Sequence, residues 1–170
     1  LHSLRRNGYQ VGSGVMCGLP WQTVQDLAAD IEFFAAEDLD MIGMGPYIPH
    51  PATPLGQGEV LDEAAKRERF DLALRMIAVA RIALGDVNIA STTALQALDP
   101  QGREKGILAG ANVIMPNLSP LRFRKKYALY DNKISTGAEG AEQRAQLEKR
   151  MKNIGYEVVT ARGDVITRKE

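Results

Sequence analysis

From residue 9 onward, short β-rich runs alternate with longer helical patterns, and each β-rich run closes on glycine, proline or hydroxyl residues. Strand–helix–strand alternation at this spacing restricts the chain to parallel strands joined by crossover helices. The expected strands are Tyr9 to Met16, Asp40 to Gly45, Val87 to Thr92 and Asn112 to Met115. Thr23 caps the first crossover helix with Asp26 as capping-box partner, and Val24, Leu27, Ala28, Ile31, Phe34 and Ala35 form its apolar stripe. A long helix is expected from Asp62 to Leu84, with Phe70, Leu74, Ile77 and Ala78 on one face, and a short one from Arg103 to Ala109. Ser119 and Pro120 read as the N-cap and first position of a further helix carrying Tyr127 and Tyr130.

Four such units amount to half of a (β/α)8 TIM-type barrel or part of an open doubly wound sheet. Half a barrel leaves two sheet edges unpaired, which favours the second half of a larger barrel over a self-sufficient domain. The opening Leu1-His2-Ser3-Leu4-Arg5-Arg6 carries no Met and no signal-peptide pattern and runs to a stop at Gly8, so the chain is expected to be a fragment. The tail belongs to a different layer, with a charged helix from Ala138 to Ile154, a Gly155 cap and a short strand from Tyr156 to Thr160.

Charge and cysteine content remove several classes of function. Lys and Arg total 21 against 21 Asp and Glu, and this neutral balance argues against nucleic-acid binding. No apolar run approaches the roughly 18 residues of a membrane span. The single cysteine, Cys17, excludes a disulfide framework and any metal or iron–sulfur site built from this chain's own cysteines. A reducing, cytoplasmic setting is expected.

In parallel α/β folds the site lies at the C-terminal strand ends, and the unusual residues gather there. Gly12, Gly14 and Met16 share one face of the first strand, and Met41, Gly43 and Gly45 one face of the second. Glycine in strands marks either a hollow for a ligand or close packing against a neighbouring strand, and both readings stand. The loop Gly45-Pro46-Tyr47-Ile48-Pro49-His50-Pro51 is held extended by its prolines and either presents Ile48 to a flat ligand such as a purine or serves as a stiff crossover. Ser91-Thr92-Thr93 either binds an anion or closes the strand as an ST-turn. Met115, Tyr127 and Tyr130 either roof a pocket or pack on the rim.

His50 lacks a second ligand at metal spacing, and the basic run Arg122 to Lys126 reads as a solvated helix face. P-loop, nucleophile-elbow and zinc-protease motifs are absent. Side chains alone supply no defensible general acid–base pair, so a cofactor would carry any hard chemical step.

Taken together the strand-end sequences resemble the radical SAM superfamily. Gly14-Val15-Met16-Cys17-Gly18-Leu19-Pro20-Trp21-Gln22-Thr23 is similar to its fifth-strand motif Gly-Leu-Pro-Gly-Gln/Glu-Thr. Asp40 to Pro51, Thr53-Pro54-Leu55, Ser91 to Ala94 and Gly110 to Asn117 then resemble, in that order, the biotin-synthase-like group, with the FeFe-hydrogenase maturase branch nearest. The resemblance runs from about residue 4 to 133. It implies that residues 1–133 are strands five to eight of a (β/α)8 barrel and that residues 134–170 are an extension.

The resemblance further implies S-adenosyl-L-methionine (SAM) and a 4Fe–4S cluster as cofactors, the cluster ligands lying in a Cys-x-x-x-Cys-x-x-Cys loop of the N-terminal half. It implies Met41, Pro46 and Ile48 at the SAM adenine, Thr92 and Thr93 as an anion-binding pair, and Met115, Tyr127 and Tyr130 beside SAM and the substrate cavity. No metal ligand is implied in this chain. Its implied partners are the N-terminal half of the barrel, a small-molecule or organometallic iron substrate and other hydrogenase maturases, with neither nucleic acid nor membrane. Trp21 departs from the motif's glycine, and the C-terminal region lacks the second-cluster cysteines of some relatives. Two other readings remain open: another biotin-synthase-like enzyme of the methylornithine synthase type, and a non-catalytic half-barrel that binds a partner.

Overall fold

The computed structural model describes residues 1–116, 140–159 and 162–165. Strands β1 (Gly12–Cys17), β2 (Met41–Pro46), β3 (Asn88–Ser91) and β4 (Val113–Ile114) form one four-stranded sheet in the order β1-β2-β3-β4. All three pairings are parallel. Helices α1 (His2–Arg6), α2 (Val24–Ala36), α3 (Glu63–Leu84), α4 (Thr93–Leu98), α5 (Gly102–Leu108) and α6 (Gly140–Asn153) complete the described elements. The expected α/β fold is borne out: sequential parallel strands with crossover helices are the architecture of half a TIM-type barrel.

Local chemistry explains where the helices begin. Thr23 and Asp26 form the capping box: the Thr23 amide donates to Asp26 Oδ2 at 2.7 Å and the Asp26 amide to Thr23 Oγ1 at 3.2 Å. Asp62 Oδ1 accepts from the Ala65 amide at 2.7 Å and starts α3.

One face of the sheet makes the core. Cys17, Ile42, Met44 and Ile89 pack there against Leu27, Ile31 and Phe34 of α2, Ala73, Ile77 and Ala80 of α3, Leu95 of α4 and Ile107 of α5. Each large side chain so buried contributes about 1.5–3 kcal/mol. The stripe expected on α2 narrows to Leu27, Ile31 and Phe34, while Val24 is 73% exposed.

Three expectations need correction. Thr93–Leu98 forms α4, which the sequence reading missed because six residues ended by Asp99 and Pro100 are too few to show a helical period. The fourth strand is Val113–Ile114 alone, since the Asn112 side chain turns back to accept from the Ile89 amide at 2.7 Å and Arg81 Nη2 at 3.1 Å. Tyr156 to Val159, the described part of the expected Tyr156–Thr160 strand, have no strand partner among the described residues; Gly155 has φ +84° just past the end of α6, and Val159 is 80% exposed. Propensity without a neighbouring strand does not make a strand.

The ends of the chain are tied to the sheet. Arg5 pairs with the buried Asp40 at 3.3 Å, and Asp40 also accepts from the Val11 amide at 2.6 Å. Helix α6 docks through buried Leu147 and Met151, with Arg150 spanning both oxygens of Glu104 and donating to the Pro100 carbonyl at 2.8 Å. Beyond it, the Gly163 carbonyl accepts from Asn88 Nδ2 at 2.8 Å and Asp164 bonds Gln10.

Candidate functional site

Pleating places Gly12, Gly14 and Met16 of β1 opposite the core, beside Met41, Gly43 and Gly45 of β2. Parallel sheets normally have both faces covered. Here Gly12, Gly14 and Met16 are exposed, with Met16 at 52%. The glycines answer both of the open readings, each at a different position. A Cβ on Gly14 would stand 2.2 Å from the Gly43 carbonyl oxygen, so that pair is a close backbone approach. A Cβ on Gly43 would meet nothing within 4 Å, so the same face is open one strand over. Gly45 is closed by Thr92, whose Oγ1 would lie 2.6 Å from its Cβ.

At the end of β1 the chain turns at Gly18, φ +86°, a conformation that favours glycine. Gln22 locks this turn: its Oε1 accepts from the Gly18 amide at 2.8 Å and its Nε2 donates to the Met16 carbonyl at 3.0 Å. Trp21, 66% exposed, is carried on the outside of the turn.

At the end of β2, Pro46 lies on the core side as register partner of Cys17, and the Tyr47 amide donates to the Cys17 carbonyl at 2.8 Å. Tyr47 is buried, with the Arg69 guanidinium 5.0 Å from its ring centre. Arg69 Nη1 donates to the Tyr47 carbonyl at 3.1 Å, and Nη2 pairs with Glu59. Residues 47–50 take no regular secondary structure, and the chain then folds back: the Thr53 amide donates to the His50 carbonyl at 2.9 Å. His50 Nδ1 accepts from the Ala52 amide at 3.2 Å, which gives it a place in this turn.

The three hydroxyls after β3 separate. Ser91 faces the helices and donates to the Arg103 carbonyl at 3.0 Å. Thr92 is the N-cap of α4 and stands on the open side over Gly45, donating to the Met44 carbonyl at 3.5 Å. Thr93 is the first residue of α4. Met115, just past β4, is 52% exposed. Tyr127 and Tyr130 lie outside the described residues.

Pro46, Ile48, Thr92 and Met115 therefore sit at one end of the sheet. Met41 stands at the other end of β2, about 16 Å from Pro46 at the usual rise per residue and on the opposite face. Sequence reasoning missed Arg69, because a long-range contact from mid-helix to two loops leaves no local pattern.

The surface so formed is apolar with a few hydroxyl and backbone groups, suited to binding and orienting rather than to proton transfer. Cys17 points into the core, where burial and, secondarily, the Asp30 carboxylate push its thiol up to about 12. It offers no thiolate for a metal, and the described residues contain no group of three or more His, Cys, Asp or Glu placed to hold one. The open space over Gly43 can admit part of an organic ligand, and the described residues supply no ligand set for a cluster.

No family model matches the chain. The FeFe hydrogenase maturase subunit HydE of Thermotoga maritima is 47% identical over 134 residues. The chain is related to HydE. This relationship bears out the resemblance carried by the strand-end motifs. The matched stretch is 79% of this chain and 36% of the HydE relative, so the chain spans about a third of that protein's length. No helix among the described residues is long and apolar enough to cross a membrane.

Proposed function

We propose that residues 1–133 form strands five to eight of the barrel of a radical SAM enzyme of HydE type, acting in the cytoplasm in assembly of the FeFe-hydrogenase diiron site. The observation that carries this reading is the glycine-lined sheet face, exposed along β1 and open over Gly43, with Ile48 and Thr92 at its C-terminal end, in a chain related to HydE. SAM, and a 4Fe–4S cluster whose ligands would lie in the N-terminal half, would supply the radical chemistry. This chain's contribution is a wall. Ile48 and the lip behind it bound the adenine, the space over Gly43 admits the ligand, and Thr92 and Thr93 offer uncharged hydroxyl donors to an anionic group. Met115 stands at the rim beside an organometallic iron substrate, with Tyr127 and Tyr130 assigned beside it. Residues 134–170 are an extension, and other hydrogenase maturases are the expected partners.

The experiment is anaerobic reconstitution of the protein together with the N-terminal half, followed by incubation with SAM and dithionite. Release of 5′-deoxyadenosine is expected. Reconstituted protein that carries a cluster yet neither binds nor cleaves SAM would overturn the proposal.

A further inference from the structure

We infer that Arg69 is a positioning residue for SAM, acting through the Tyr47–Ile48 peptide; this rests on the function proposed above. Arg69 lies in α3, away from the strand-end motifs, yet its side chain is only 14% exposed and touches both loops at this corner of the sheet. Its stem packs beneath the β1 turn, where a Cβ on Gly18 would come within 2.8 Å of Arg69 Cγ. Its guanidinium stacks on Tyr47, takes the Tyr47 carbonyl at 3.1 Å and is held from behind by Glu59.

Both backbone polar groups of Tyr47 are thereby committed: its amide to the Cys17 carbonyl at 2.8 Å, its carbonyl to Arg69. The chain contains no cis peptide among the described residues. In a planar trans peptide the C=O and the next N–H point in opposite directions. With the Tyr47 carbonyl turned onto Arg69, the Ile48 N–H is turned away from that side chain, and no hydrogen-bond partner among the described residues takes it. Arg69 thus fixes the plane of the Tyr47–Ile48 peptide and leaves the Ile48 N–H as a spare backbone donor at the lip. Lysine cannot reproduce this, because one ammonium lacks the planar fork that serves a carbonyl, a carboxylate and a ring face together.

The test uses the reconstituted full-length protein and two readouts: the SAM dissociation constant by equilibrium dialysis, and 5′-deoxyadenosine formation at saturating SAM. Arg69→Met is expected to weaken SAM binding about tenfold, equivalent to about 1.4 kcal/mol, with the saturated rate within about twofold. Arg69→Lys is expected to fall between wild type and Arg69→Met. Glu59→Gln, which leaves the Tyr47 contact in place, is expected to weaken binding about threefold, or about 0.65 kcal/mol. Folded Arg69→Met with wild-type affinity would overturn the inference, as would a loss confined to the saturated rate. If Arg69→Met does not fold, wild-type affinity in both Arg69→Lys and Glu59→Gln overturns it instead. Wild-type protein that fails to bind SAM would sink the proposed function, and this inference with it.

Discussion

Gly14 and Gly43 are register partners across β1 and β2, yet alanine at the two positions should have opposite effects. At Gly43 a methyl group enters open space, and the backbone there is not in the left-handed region. Replacing glycine by alanine then mainly reduces the freedom of the unfolded chain and stabilises by about 0.4–1 kcal/mol. At Gly14 the same methyl group would stand 2.2 Å from a carbonyl oxygen, well inside any real contact, and the obstacle is backbone rather than a flexible side chain. The strands must separate by about 1 Å or the Gly43 peptide must rotate, and overpacking of this kind costs about 1–3 kcal/mol. The two variants should therefore differ by about 1.4–4 kcal/mol. With a urea slope of about 1–3 kcal/mol per molar, their unfolding midpoints should lie about 1 M apart, Gly43→Ala above wild type and Gly14→Ala below. Far-ultraviolet circular dichroism of otherwise identical proteins measures this. Equal midpoints, or a reversed order, would refute the geometry of the open face.

Gly43→Leu should reduce SAM binding at least tenfold, read by equilibrium dialysis in protein whose cooperative urea transition shows it folded. Such a side chain fills the space that the proposed function assigns to the ligand. Cys17, with its thiol pushed up to about 12, should resist iodoacetamide at pH 8 in the native protein and react once urea unfolds it. For Glu104, burial favours the neutral acid, but the Arg150 hydrogen bonds and charge outweigh it and hold the carboxyl below its usual 4.5. Its folded value is the depressed one, so its stabilisation is fully present above about pH 4.5 and is lost as pH falls through the lower folded value. Amide exchange in α6 should accelerate on acidification from pH 6 to pH 3.5 (after correction for intrinsic rates), and Arg150→Ala should remove that acid dependence.

Much of this architecture is legible in the sequence. Period-two and helical runs alternate clearly, and Thr23, Asp62 and Gly155 mark helix ends by local chemistry that distant contacts do not override. The misses share a cause. Helix α4 is too short for a period, and Tyr156 to Val159 have no neighbouring strand among the described residues, which residue preference cannot supply. The strand ends were marked by composition, but their inward and outward sense depends on register. Pleating and the β1–β2 pairing send Pro46 and Met41 to opposite faces, and the start of α4 separates Ser91 from Thr92. Arg69 was invisible because its role depends on the meeting of Gly18, Tyr47 and Glu59, which only the folded chain brings about.

The central claim is that this chain forms one wall of a SAM-cleaving barrel. It is tested most directly by isolating anaerobically, from the source cells, the native polypeptide that contains Gly14 to Thr23, and assaying it with SAM and dithionite. The expected result is 5′-deoxyadenosine from a polypeptide that also carries a Cys-x-x-x-Cys-x-x-Cys loop. A native polypeptide without that loop, forming no 5′-deoxyadenosine when supplied with iron, sulfide and reductant, would contradict it.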